Sequence, residues 1–186
     1  WDDVLPYFIK AENQERGKSE FHGVDGPLSV SDQRIHLPLL DEFQNAAEEF
    51  GIPKSKDFNT GNNYGCGYFQ VTQKNGFRCS TSVGYLNPIK HRKNLKIITN
   101  AHIKKINFEN KTAKEVEFWH GDELKKVQAN REIILSSGAI GSPQILQVSG
   151  IGNPEKLKKL GIDLVQNLNG VGENLHDHLM LRPIYK

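Results

Sequence analysis

A chain of 186 residues can build one good core or two small domains. Its 24 Lys+Arg against 22 Asp+Glu leave a formal charge of +2 with the signs interspersed, which excludes the basic footprint of a nucleic-acid binder. Two cysteines, Cys66 and Cys79, cannot form a disulfide framework, and no apolar run approaches the roughly 20 residues of a membrane-spanning helix.

The first helix is expected with Asp3 as its cap, Pro6 in the opening turn and Val4, Leu5, Phe8 and Ile9 as an apolar stripe, ending by Glu15-Arg16-Gly17. Residues 19–27 read as a loop and Leu28-Ser29-Val30 as a short strand. From Pro38, the spacing of Leu39, Leu40, Phe43, Ala46, Ala47 and Phe50 predicts a helix that Gly51 stops before Pro53. Residues 57–67 are too rich in Gly and Asn for a regular element. A strand is expected at 68–72, a reversal at Asn75-Gly76, and a short helix capped by Ser80 that runs through Tyr85-Leu86 and stops at Pro88.

The character changes near residues 88–94, which divides the chain into regions 1–93 and 94–186. Strands are expected at 95–99, at 103–108, around Val116 and Phe118, and at 124–129. The phase slip between Ile103 and Ile106 indicates a bulge. Turns at Asn110-Lys111 and Gly121-Asp122 join the pieces as an antiparallel meander, which feeds a strand at Ile133-Ile134-Leu135. Beyond it, in Ser136-Ser137-Gly138-Ala139, the side chains shrink and a ligand or a helix can approach the backbone closely. Ser142 and Pro143 are expected to start a helix that buries Ile145, Leu146 and Val148 and ends at Gly150. Asn153-Pro154 repeats that logic, with Leu157 and Leu160 buried and Gly161 as terminator, before a strand at 162–165 and a turn at Gly170-Val171-Gly172. The fold class is α/β in the mixed α+β sense.

His176-Asp177-His178 has metal-ligand chemistry, but no third His or Cys stands at a recognisable spacing, so no metal is expected. The pairs Gly65-Cys66-Gly67, Gly150-Ile151-Gly152 and Gly170-Val171-Gly172 lack the third glycine of a phosphate cradle and read as turns or helix ends. Gly141-Ser142-Pro143-Gln144 is not a nucleophile elbow. Trp119 and His120 read as surface packing at a turn.

From Gly138 through Ser142-Pro143, Ile145-Leu146 and Ser149-Gly150-Ile151-Gly152, the sequence resembles the second signature of the glucose-methanol-choline (GMC) flavin oxidoreductases. The likeness extends to Trp1-Asp2-Asp3, Phe21-His22-Gly23, Gly26-Pro27-Leu28, Arg78 with Ser80-Thr81, and Gly170-Val171-Gly172-Glu173-Asn174-Leu175-His176-Asp177-His178. It is nearest to the choline dehydrogenase-like members. The resemblance implies an FAD cofactor, a small primary-alcohol substrate and an electron acceptor, with region 1–93 mostly substrate domain and region 94–186 mostly FAD-binding domain. It implies that the main chain of Ile103 meets the adenine, that Ser137, Gly138 and Ala139 admit the cofactor, and that Asn174, Asp177 and His178 run beside the flavin. The family's G-x-G-x-x-G and its catalytic His segment have no counterpart in this sequence, so no catalytic residue is assigned. With those parts missing and a first residue of Trp rather than Met, the chain is expected to be an inactive internal part of such an enzyme; free thiols in a reducing, cytoplasmic setting are expected, with a single Cys66–Cys79 bridge as the alternative and membrane association left open for the parent. The alternative is a small binding or scaffold domain that kept the framework without catalysis.

Overall fold

The computed structural model describes residues 1–184, which divide into two compact units, residues 1–96 and residues 97 onward. In the first unit, helix α1 (Leu5–Ala11) carries Pro6 in its first turn but has Val4 rather than Asp3 at its cap, with no side-chain bond there. It ends earlier than expected because the chain turns directly into β1 (Glu12–Gln14), which pairs in parallel with β2 (Leu28–Val30). The crossover between them is held close: a Cβ on Gly23 would lie 1.8 Å from the Ile9 carbonyl oxygen, and one on Gly26 would lie 2.3 Å from the Ala11 carbonyl carbon.

Helix α2 (Pro38–Glu49) forms as its periodicity requires, and Gly51 at φ +95° ends it. Its apolar stripe is nevertheless exposed, with Leu39 at 79 % and Phe50 at 86 %. The strand expected at 68–72 is a single bridge between Ser31 and Val71, and the ladder forms later, as the hairpin β3 (Gln73–Lys74) and β4 (Phe77–Arg78) around Asn75-Gly76. Both turn residues have positive φ, so the turn chemistry rather than the apolar run sets the position of the ladder. Ser80 does act as a cap, its Oγ accepting the Val83 N–H at 3.3 Å; the element it opens is a wide π turn over Ser82–Leu86, closed by Asn87 N–H to the Ser82 carbonyl at 2.8 Å.

The second unit is built on the meander β5 (Ala101–Glu109), β6 (Thr112–His120) and β7 (Glu123–Gln128), ordered β5-β6-β7. The expected bulge is present as a register shift between Ile103 and Lys105. Helix α3 (Gly138–Val148) packs on β5 and leads into β8 (Ile151–Gly152), which pairs in parallel with β9 (Gln166–Asn167) around α4 (Pro154–Lys159). Asn153 caps α4 by accepting the Lys156 N–H at 3.0 Å, and Leu157 is 1 % exposed.

Five expectations from residue 95 onward are corrected. Residues 95–99 and 133–135 are in no ladder among the described residues, and Ile134 is 79 % exposed, because an apolar run becomes a strand only beside a partner. The strand expected at 162–165 forms at β9, where Val165 and Gln166 N–H groups reach the Gly150 carbonyl and bring the chain into pairing. Leu160 is 68 % exposed rather than buried, because it lies beyond the single core-facing turn of α4. Pro143 lies inside α3 rather than at its start. Cys66 and Cys79 are both free.

Candidate cofactor site

β5 is an outer strand of its sheet, so one of its edges is open to α3. Main-chain groups in an antiparallel strand alternate between the partner and the free edge. The Ile106 N–H is on the free edge, since it donates to Ser149 Oγ at 2.8 Å. A bulge places two residues against one, so Ile103, opposite Phe118, stays in phase with Ile106, opposite Val116. The N–H and C=O of Ile103 therefore face outward. They border a cavity of about 360 Å³ whose other walls are Trp119 of β6 and Gly141, Gln144 and Ile145 of α3.

α3 begins five residues earlier than the sequence pattern suggests. Ser137 precedes it, and Gly138 is its first residue with φ +82°, a conformation L side chains rarely adopt. A Cβ built on Gly138 meets nothing within 4 Å, so the space beside it is open. Ser142 acts as an acceptor as expected, but for the Ser137 N–H at 3.0 Å, folding the entry loop back onto the first turn. Pro143 has no N–H to give the helix, which costs nothing extra where the first-turn amides lack intrahelical partners but sits just beyond that turn here.

Ala139, Ile140, Pro143 and Gln147 face a second cleft, of about 580 Å³, whose opposite wall is the segment from Gly170 to Leu175. Gln147 holds that segment, its Nε2 donating to the Val171 carbonyl at 3.0 Å. The structure thus brings Ala139 and the chain beside Asn174 into one cleft and puts Ile103 in another, with Gln144 lining both. Asn174 has φ +53°. Asp177 and His178 are exposed, and their described bond is local, from the His178 N–H to Asp177 Oδ1 at 2.8 Å. No group of three His, Cys, Asp or Glu is placed to hold a metal among the described residues.

Sequence reasoning missed Gln147, Ser149 and Trp119 as parts of this region. The signal for Gln147 lies in Gly172, where a Cβ would meet Gln147 Nε2 at 2.5 Å, but no local pattern reveals such a contact. In the first unit it also missed a buried polar clasp. His22 Nδ1 lies 2.8 Å from Glu12 Oε2, and its Nε2 is 3.0 Å from Asp57 Oδ2 at ion-pair distance without hydrogen-bond alignment. The imidazole joins the β1–β2 crossover to the glycine-rich loop.

The family model described as GMC oxidoreductase matches residues 1–180. The chain belongs to the GMC oxidoreductase family. It is 45 % identical over 180 residues to an oxygen-dependent choline dehydrogenase of Pectobacterium carotovorum, covering 95 % of this chain and 32 % of that protein. A choline dehydrogenase of the same description from Pseudomonas putida is 43 % identical over 183 residues, with 96 % and 32 % covered. Among solved structures, an FAD-dependent oxidoreductase from Chaetomium thermophilum superposes with a TM-score of 0.86 at 31 % identity, over 95 % of this chain and 33 % of that one. Formate oxidase of Aspergillus oryzae gives 0.86 at 27 %, over 96 % and 32 %. The GMC chain therefore spans about a third of the length of the curated relatives it matches. The family is one of FAD-dependent flavoproteins, and no helix of this member is long and apolar enough to cross a membrane.

Proposed function

We propose that this chain is the adenine-side wall and part of the substrate-domain framework of an FAD-dependent oxidoreductase acting on the CH–OH group of a primary alcohol of the choline type. The observation that carries the reading is the open β5 edge at Ile103, whose free main-chain groups face α3 across a cavity. An adenine edge offers one donor and adjacent acceptors, which a single exposed N–H and C=O can match without any side chain. Ser137, Gly138 and Ala139 would let the dinucleotide approach α3, since the space beside Gly138 is open. Asn174, Asp177 and His178 would flank the flavin end, beyond the cleft that Gln147 shapes. When bound, the flavin supplies a hydride acceptor for the alcohol carbon. No side chain here is assigned the alcohol's proton.

The lean toward choline comes from the relatives' names and a cytoplasmic location from the two free thiols. The test is anaerobic mixing of a full-length polypeptide containing this chain with choline and other primary alcohols. Bleaching of the flavin by a primary alcohol is expected; a flavin that no primary alcohol bleaches would refute the substrate class.

A further inference from the structure

Ser149, the residue after α3, is 6 % exposed and joins the helix to the sheet through one atom. Its Oγ donates to the Ile145 carbonyl at 2.6 Å and accepts the Ile106 N–H at 2.8 Å. A hydroxyl has one proton, so the bond to the helix uses it and the lone pair left over fixes the direction of the bond to the strand. Ile106 and Ile145 are also buried, at 6 % and 9 % exposure, so neither backbone group has water as a substitute.

The tether sits between two cavities on the same edge of β5. One, of about 360 Å³, lies at Ile103, and the other, of about 390 Å³, lies at Ile106 and Phe108; Val148 lines both. The bulge lies between the tether and Ile103. We propose that Ser149 is a positioning residue, whose hydroxyl sets the spacing between the end of α3 and the bulged edge of β5 and thereby places the main chain of Ile103 for an adenine edge. This rests on the adenine-side reading above. Without the hydroxyl, the Ile106 N–H is left buried and unpaired, and the strand edge shifts to find another acceptor.

The test measures FAD dissociation constants on the deflavinated full-length polypeptide containing this chain. Ser149→Ala should weaken FAD on the order of tenfold, the loss of one buried hydrogen bond at a fixed contact. Ser149→Thr, which keeps the hydroxyl, should restore affinity to near wild type. Leu157→Ala, a buried site in α4 away from the Ile103 cavity, controls for lost stability and should leave FAD affinity unchanged. FMN, which has no adenine, should show the same affinity for wild type and Ser149→Ala, and the flavin reduction potential should not move. If Ser149→Ala does not accumulate folded, Ser149→Cys, with a weaker acceptor, takes its place with the same expected weakening. Wild-type FAD affinity in the Ala or Cys variant, equal weakening by Leu157→Ala, or a parallel loss of FMN would overturn the role of Ser149. A wild-type polypeptide that takes up no FAD would instead overturn the adenine-side reading, and the proposal with it.

Discussion

Gly138 answers two demands, of which only one was visible in the sequence. The run of small residues pointed to close approach, and the space beside Gly138 is indeed open, but its φ of +82° independently requires glycine. Any L residue there costs ~1–2 kcal/mol. Gly161, at φ +69° and equally open, carries the backbone demand at the end of α4, away from the proposed cofactor space. In the full-length polypeptide, Gly138→Val should therefore purify colourless while Gly161→Val stays yellow, although both lose comparable stability in thermal melts. Equal flavin absorbance in the two variants would count against cofactor contact at Gly138. The proposed reading sets His178 beside the flavin without making it the base. His178→Ala should alter flavin content or reduction rate without the loss of up to ~10⁴-fold that removal of a general base causes. Stopped-flow reduction by the alcohol measures this, and a loss of that full size with flavin content unchanged would relocate the active site to His178.

Among the elements, the meander was the most legible and is also the most electrostatically committed. Its alternation, its two turns and its bulge follow from Val116 and Phe118, from Asn110-Lys111 and Gly121, and from the offset of Ile106 against Ile103. The charge network across it could not be read, because it depends on register. Asn107 Nδ2 donates to Glu117 Oε1 at 2.8 Å, and Lys126 and Lys104 lie 3.1 Å and 3.3 Å from the same carboxylate. The bond from Asn107, then that from Lys126, hold the Glu117 carboxyl down to about 2, well below its ordinary 4.5. A depressed folded value means that this stability is fully present above the ordinary value and is lost as pH falls through about 2. The meander should lose stability on acidification across that window, and Glu117→Gln should flatten the dependence. Thermal melts followed at Trp119 against pH measure it; an unchanged slope in the variant would contradict the network's role. The contact between Gln147 and Gly172 was equally hidden. Gly172→Ala puts a Cβ at 2.5 Å from Gln147 Nε2 and strains φ at +79°, so a double variant with Gln147→Ala should recover the steric part of the loss and leave the backbone part. A double variant no more stable than Gly172→Ala alone would show that this contact carries no steric cost.

For the molecule as a whole, the apolar pattern located the helices and the meander, but it also predicted strands at 68–72, 95–99 and 133–135 that form no ladder among the described residues. The stripe of α2 and the runs at 95–99 and 133–135 are apolar, yet Leu39, Ile97 and Ile134 are half or more exposed. Hydrophobic periodicity records what a segment needs to pack against, whether or not the same chain supplies it. The solvent-accessible surface is 15298 Å². A folded chain of this mass should expose roughly 9,000 Å², and two separate units of half the mass roughly 11,000 Å². A surplus of that size fits the one-third coverage of the family's length. The isolated chain should accordingly bind a hydrophobic dye and unfold over a broad range, and a sharp transition without dye binding would contradict so large an open apolar surface.

That this chain holds one wall of an FAD site, and not a whole one, is tested by titrating FAD into the isolated chain while following flavin fluorescence. Within residues 1–186 there is no G-x-G-x-x-G turn to hold the diphosphate. The contacts at Ile103 and Gly138 must then offset at least ~4 kcal/mol of lost ligand freedom by themselves. No saturable binding in the micromolar range and no alcohol-dependent bleaching are expected. Saturable micromolar binding, or bleaching by any alcohol, would show that the chain holds a complete site of its own.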